Sequence, residues 1–394
     1  MGRPHVAAVL LLALILASAT AATGEPVCEA TTTELPESAV ARTDQLESGN
    51  RIGFGCGPID QDAATDIDLG AIATWVLPDP TARGRDWLVA LEDGSVVRVR
   101  VPADDRPGVD ERPVAVLAPA EPPLATLSAD GTVVVVSAID ALSVFDDAIP
   151  GARLVGTPDG TLVALTEATE RYPHGVLGDG FEAASVSVRR PDGTVVRIDV
   201  GPDAVVEGLS PILLDLDEDG DLEIVVTVSD TFDGARLVSY DLDGELVASS
   251  EPIGQGFRWL HQIGGGPVGP AGETEIVVVR TPHIGGTIEA YRLIDDRLEL
   301  MARQAGYSSH RIGSANLDMA LLADVDADGR LDVVVPSDDM RTLGLLTRSV
   351  DGFELLGTLP LDGMLTTNMG AASDGDGSLV LAVGTDDGRL RIFR

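Results

Sequence analysis

The chain has 394 residues and a formal net charge of −37, with 64 acidic residues against 27 basic ones, all of them arginine. A surface this acidic repels nucleic acid and anionic lipid, which excludes both as direct partners. The length is enough for a large buried core, as two or three ordinary domains or one large all-β domain.

Arg3 and His5 precede an apolar run from Val6 to Ala17, and Ala19, Ala21 and Ala22 offer small residues for cleavage. This predicts a secretory signal over residues 1–22, its apolar part too short to cross a bilayer. No later stretch is long and apolar enough to do so. The expectation is an exported, monomeric protein without a membrane span, periplasmic or extracellular. Glu25-Pro26-Val27 before Cys28 is a poor lipoprotein signal. Residues 23–69 form an N-terminal segment holding the only two cysteines, Cys28 and Cys56. In an oxidising compartment these predict one disulfide, worth about 3–4 kcal/mol in the chain-entropy model.

From residue 70 onward, apolar runs alternate with Asp-Gly turns. Asp93-Gly94, Asp130-Gly131, Asp159-Gly160 and Asp192-Gly193 are each followed by Ser or Thr and then a valine- or leucine-rich run. Asp-Gly between such runs is a hairpin signal, because the turn needs residues that tolerate positive φ. Many evenly spaced hairpins point to a repeat architecture.

Two stretches then share one oxygen-rich spacing: Asp215-Leu-Asp217-Glu-Asp219-Gly220-Asp221-Leu-Glu223 and Asp324-Val-Asp326-Ala-Asp328-Gly329-Arg330-Leu-Asp332. Each runs directly into a β-branched segment, Ile224-Val225-Val226 or Val333-Val334-Val335. Carboxylates at positions 1, 3, 5 and 9, with a glycine at 6, suit Ca²⁺, a hard cation that takes six to eight oxygens at about 2.3–2.6 Å. The expected side-chain ligands are Asp215, Asp217, Asp219 and Glu223, and Asp324, Asp326, Asp328 and Asp332. The carbonyls of Asp221 and Arg330 would add the seventh-position oxygen. An EF-hand would need a bidentate Glu at position 12, where Val226 and Val335 stand inside strands, so that reading fails. A solvated acidic turn is the bland alternative, and two copies with matching glycines and strands argue against it.

Two weaker copies complete a series about every 50 residues. Pro267–Glu275 keeps the glycine and the final carboxylate without the three aspartates, and Ala372–Gly377 keeps two of the three. Glu223, Glu275, Asp332 and Val380 thus hold equivalent places. A unit of this size with four short strands matches a β-propeller blade. The Asp-x-Asp-x-Asp-Gly-x-x-Asp motif before a β-branched strand resembles the FG-GAP/VCBS repeat family, although the Phe-Gly and Gly-Ala-Pro hallmarks are missing. The resemblance implies an all-β propeller of four-stranded antiparallel blades, with calcium between the first and second strands of two of them. Over 70–394 the length suits seven blades of about 46 residues, with six or eight as alternatives. A strand from residues 30–70 is expected to complete the last blade and hide its edge.

Propellers bind ligands at one mouth of the ring. Loops leading into the innermost strands hold Trp259, His261, His310, Arg311, Asn316, Asp318 and Asn368. Loops after the second strands hold Asp230, Arg280, His283, Arg341 and Asp386. Histidine suits proton transfer or hydrogen bonding to a sugar or carboxylate. His261, His283, His310, Arg280, Arg341, Trp259 and Asn368 are therefore candidates for binding a carbohydrate, peptide or partner protein, at the end opposite the calcium loops. The alternative is a polysaccharide lyase or hydrolase in which Arg280 or Arg341 neutralises a uronate and His283 or His310 takes the proton. No Gly-x-Ser-x-Gly elbow, His-Glu-x-x-His helix or phosphate-binding glycine loop is present.

Overall fold

The computed structural model describes residues 51–60, 64–78, 86–100, 108–110, 115–116, 123–127, 133–137 and 144–394, without 158 and 375–376. The secretory signal, Cys28 and the Asp130-Gly131 turn lie outside the described residues, and with Cys28 goes the disulfide expected at Cys56. Every regular element described is a strand, and no helix occurs among these residues.

The unit 204–249 shows the local rule. Ala204–Leu214, Glu223–Asp230, Gly234–Tyr240 and Leu246–Ser249 pair antiparallel in chain order. Valine-rich runs supply the strands, and Asp-Gly turns reverse the chain between them. The same up-and-down order recurs in 260–305 and 321–360, and four-stranded groups also form at 73–110 and 155–199. Three strands pair within 115–137.

Units pack face to face with their first strands side by side. Ala204–Leu214 lies against Leu260–Pro267, which lies against Leu321–Asp324. The core fills the spaces between sheets: Ile212, Val225 and Leu237 of one unit meet Leu260, Ile276 and Val278 of the next. Val277 and Val279 in turn meet Leu322, Val333 and Val335. Strands covered on both faces read as unbroken apolar runs, which is why period-2 alternation is weak here. This radial stack of four-stranded sheets is a β-propeller.

The N-terminal part enters the ring twice. Thr65–Asp68 pairs antiparallel with Arg389–Phe393 and becomes the outermost strand of the last unit. Ile52–Cys56 runs parallel to Leu321–Asp324 on its inner edge. Both strands precede Gly70, where the sequence set the start of the ring. Gly53 and Gly55 allow the inner strand to fit, since a Cβ on Gly55 would lie 2.9 Å from Leu379 Cα.

Asn368 fastens the last unit to the 73–110 unit. Its Oδ1 accepts from Val76 N and its Nδ2 donates to Val76 O, both at 2.7 Å and fully buried. Asn368→Ala should therefore cost about 2–3 kcal/mol of unfolding free energy in a denaturant titration, because two buried backbone groups lose their partners.

Candidate functional site

The two acidic loops share one backbone. Glu218 and Ala327, at position 4, both adopt φ 62°, and Gly220 and Gly329 at position 6 have φ 98° and 87°. Position 6 needs glycine because this region is costly for a side chain. Position 1 accepts from the glycine N–H in each loop (Asp215 Oδ2 from Gly220 N, 3.1 Å; Asp324 Oδ2 from Gly329 N, 3.0 Å). Position 9 reaches back to the second residue (Glu223 Oε2 from Leu216 N, 2.8 Å; Asp332 Oδ2 from Val325 N, 3.0 Å).

These bonds bring ligand oxygens of Asp215, Asp217 and Glu223 within 4.8 Å of one another, and likewise those of Asp324, Asp326 and Asp332. Position 5 stands outside both triplets. Asp219 Oδ1 accepts from Asp221 N (2.8 Å), while Asp328 takes the N–H and the guanidinium of Arg330. Asp215 Oδ1 and Asp332 Oδ1 are buried with no donor at hydrogen-bond distance, although the Thr347 hydroxyl lies close enough to Asp332 to favour its charged form. Burial pushes the carboxyls of Glu223 and Asp332 up to about 7. An all-oxygen set with no nitrogen or sulfur fits Ca²⁺ rather than zinc or copper.

The unit between the two loops supplies an internal comparison. Glu275, at the same position 9 and fully buried, is met by Arg292 Nη2 at 2.6 Å and by Arg348 Nε at 2.8 Å. In the strand register Glu275 falls opposite Arg292, whereas Asp332 falls opposite Thr347 and Glu223 opposite Asp241. Where the aspartates are lost, arginines stand against the conserved carboxylate. Where they are kept, no side-chain cation among the described residues does.

At the other end of the same strands the histidines meet. His283 Nε2 lies 2.7 Å from His310 Nδ1, and His310 Nε2 lies 2.6 Å from Ser314 O. A carbonyl only accepts, so His310 Nε2 carries the proton. Its Nδ1 then accepts from His283 Nε2, which leaves the lone pair of His283 Nδ1 open. His261 Nδ1 bonds Ser309 Oγ at 2.6 Å. Trp259 stacks on His261 (4.6 Å between centroids) and meets His310 edge-on (5.2 Å). Trp259 is 3% exposed, so it backs the cluster and offers no stacking surface.

Burial lowers all three imidazoles, His283 and His310 to about 4 and His261 well below its ordinary 6.5. All are neutral at neutral pH. The unfolded chain takes up these protons first, so the cluster's contribution is complete above pH 6.5 and declines as pH falls toward 4. Imidazole NMR should show His283 and His310 unprotonated at pH 5.5; a midpoint near 6.5 for both would contradict this packing.

Three candidates do not join the cluster. Arg280 turns to its own sheet, with Nη1 3.7 Å from Glu289 Oε1 and Nη2 3.4 Å from Ile253 O. Arg341 is exposed, its N–H on Asp339 Oδ1. Asn368 is the clamp already described.

His174 does belong to this end and was missed. It lies on the loop 170–181, after the second strand of the 155–199 unit, and its Nδ1 is 2.6 Å from Glu207 Oε1. Its unit carries a short Thr157–Thr161 turn in place of the acidic loop that set the register elsewhere, so the sequence did not place it. Tyr172 and Phe257 stack beside it at 4.9 Å, and Phe181, Phe232, Ile284 and Ile312 are exposed on the surrounding loops. Glu182, buried near Glu207, is pushed up to about 9 by burial and by that neighbour.

No family model and no curated protein matches the chain. Among solved structures it is similar to one described as "Structure of Dos1 propeller", with TM-score 0.40 and 7% identity over 85% of this chain and 94% of that one. The propeller assignment rests on the strand order and packing given above.

Proposed function

We propose that the protein is an exported, calcium-clamped propeller of the FG-GAP/VCBS type, of seven blades, that acts as a binding module. Its histidine end takes a carbohydrate, a peptide or a partner protein. The observation that carries this reading is the meeting of Trp259, His261, His283 and His310 at one end of the ring, inside a rim of exposed Phe and Ile side chains. The expected lyase pair would set Arg280 or Arg341 beside His283 or His310, but Arg280 is engaged with Glu289 and Ile253, and Arg341 is exposed with its N–H on Asp339. Neutral imidazoles with an open acceptor at His283 Nδ1 and a second unbonded ring nitrogen at His261 Nε2 suit recognition of a hydroxyl or N–H.

Calcium serves the scaffold at the opposite end. The two position-9 carboxylates lack the arginines that meet Glu275, and a divalent ion would hold the first and second strands of each unit together. Modules of this kind bind calcium at about 10⁻⁴–10⁻³ M, and each tenfold excess adds roughly 1.4 kcal/mol.

Glycan and peptide arrays, followed by turnover assays on every hit, test the binding reading. His283→Ala should abolish capture of the hit while leaving the melting temperature within a degree or two. Turnover of a bound glycan that disappears in His283→Ala would show an enzyme instead.

A further inference from the structure

The inner edge of the histidine end holds a charge that the side chains do not balance. Arg51, preceding the inner strand Ile52–Cys56, places Nε 2.6 Å from Asp318 Oδ1. Arg153, from the opposite side of the ring, places Nη1 2.8 Å from the same oxygen. The three are buried, 5%, 8% and 4% exposed. Burial lowers Arg51 only to about 10, and despite its own burial Asp318 is held below the ordinary carboxylate range by Arg153 and Arg51. Two guanidinium charges therefore face one carboxylate. No other carboxylate among the described residues pairs with either arginine.

The donors around this hub are also unsatisfied. Arg51 Nη1, Arg153 Nε and Asn316 Nδ2 are buried with no acceptor. Asn316 belongs to the hub, since its Oδ1 accepts from Asp318 N at 2.9 Å. His261, whose charged form both arginines disfavour, lies beside them with a buried, unbonded Nε2. A buried net charge with several free N–H groups is costly unless an anion completes it. Forked guanidinium donors match the two oxygens of a carboxylate.

We propose that the axis of the ring, at Arg51, Arg153 and Asn316, is an anion site that receives the carboxylate of the ligand bound at the histidine end. This rests on the reading of that end as a binding mouth, and it sets the ligand class: a sugar acid, or a peptide offering a carboxylate, rather than a neutral glycan. The site lies inside a protein of net charge −37, and its two guanidinium groups locally offset the repulsion that this charge exerts on an anion.

The test uses the full chain with saturating calcium at constant ionic strength, titrated with sodium acetate, sodium glucuronate, glucose or sodium chloride. Acetate and glucuronate should raise the melting temperature by several degrees over chloride, and glucose should not. Arg153→Lys keeps the charge and the reach to Asp318 but loses the Nε donor, and should weaken acetate about tenfold. Asn316→Ala is a second variant that leaves both arginines in place, and should also weaken it. Identical melting in acetate, glucuronate and chloride overturns the proposal, as does an acetate response unchanged in both variants. Inorganic phosphate run in parallel distinguishes the carboxylate from a general anion; equal or stronger stabilisation by phosphate removes the carboxylate assignment. If an array ligand depends on His283 while carboxylates have no effect, the mouth stands and the anion site falls.

Discussion

Stripping the protein with EDTA should lower its unfolding midpoint by several degrees, and millimolar calcium should restore it. Two ions at a hundredfold excess over their dissociation constants would each add about 2.7 kcal/mol. The variants sharpen the test. Asp332→Asn and Glu223→Gln should each remove about half of the calcium response, and the double variant all of it. In EDTA the order reverses. A neutral amide avoids the desolvation that raises Glu223 and Asp332 to about 7, so each variant should match or exceed the stripped wild type. The pH dependence has the same origin. A carboxyl with a raised folded-state value binds its proton more tightly in the native chain, so these two groups weaken the stripped protein as pH rises from about 4 to 7. Calcium should cancel that decline. Differential scanning calorimetry with and without calcium measures all of these outcomes.

The second large effect lies in the unit that has no acidic loop. Arg348→Leu should destabilise the protein by about 3–5 kcal/mol, with or without calcium, because it leaves Glu275 buried with half of its compensation. Arg348 is fully committed: Nε and Nη2 to Glu275, Nη1 to the carbonyls of Ser349 (2.5 Å) and Gly352 (2.7 Å), and its guanidinium over Phe353. Adding Glu275→Gln should recover part of the loss, and the double-mutant cycle isolates the pair. A cost below about 1 kcal/mol for Arg348→Leu would mean that the position-9 carboxylate needs no cation, and would weaken the case for calcium in the other two units as well.

These comparisons show what was legible in the sequence and what was not. The shared backbone of the acidic loops could be read because a repeated Asp and Gly pattern sets it at short, local spacing; the same register placed His261, His283 and His310 on one end. It failed where function is set by distant partners. Asn368 looked like a mouth residue, yet Val76, far away in sequence, takes both ends of its amide. Arg280 sits in the right loop, but Glu289 on the neighbouring strand holds its side chain. Position 5 of each loop carries the expected aspartate, yet local N–H groups, and in one loop Arg330, draw it out of the triplet.

Arg51, Arg153 and His174 left no motif at all. The 155–199 unit has a Thr157-Pro-Asp159-Gly160-Thr161 turn where others carry the acidic loop, so its register was hidden. A closing strand was expected within residues 30–70, and Thr65–Asp68 is that strand; at four residues with one buried side chain it was too short and polar for its place to be read. The arginines facing Glu275 come from two different units, and only the packed sheets bring them together.

Long-wavelength anomalous diffraction from crystals grown in calcium is the most direct measurement of the central claim, that divalent ions hold neighbouring strands of this ring. Two calcium peaks are expected, one within about 2.3–2.6 Å of carboxylate oxygens of Asp215, Asp217 and Glu223, the other at the same distance from those of Asp324, Asp326 and Asp332. Maps with no anomalous signal at either triplet, at calcium concentrations well above a millimolar, would contradict it.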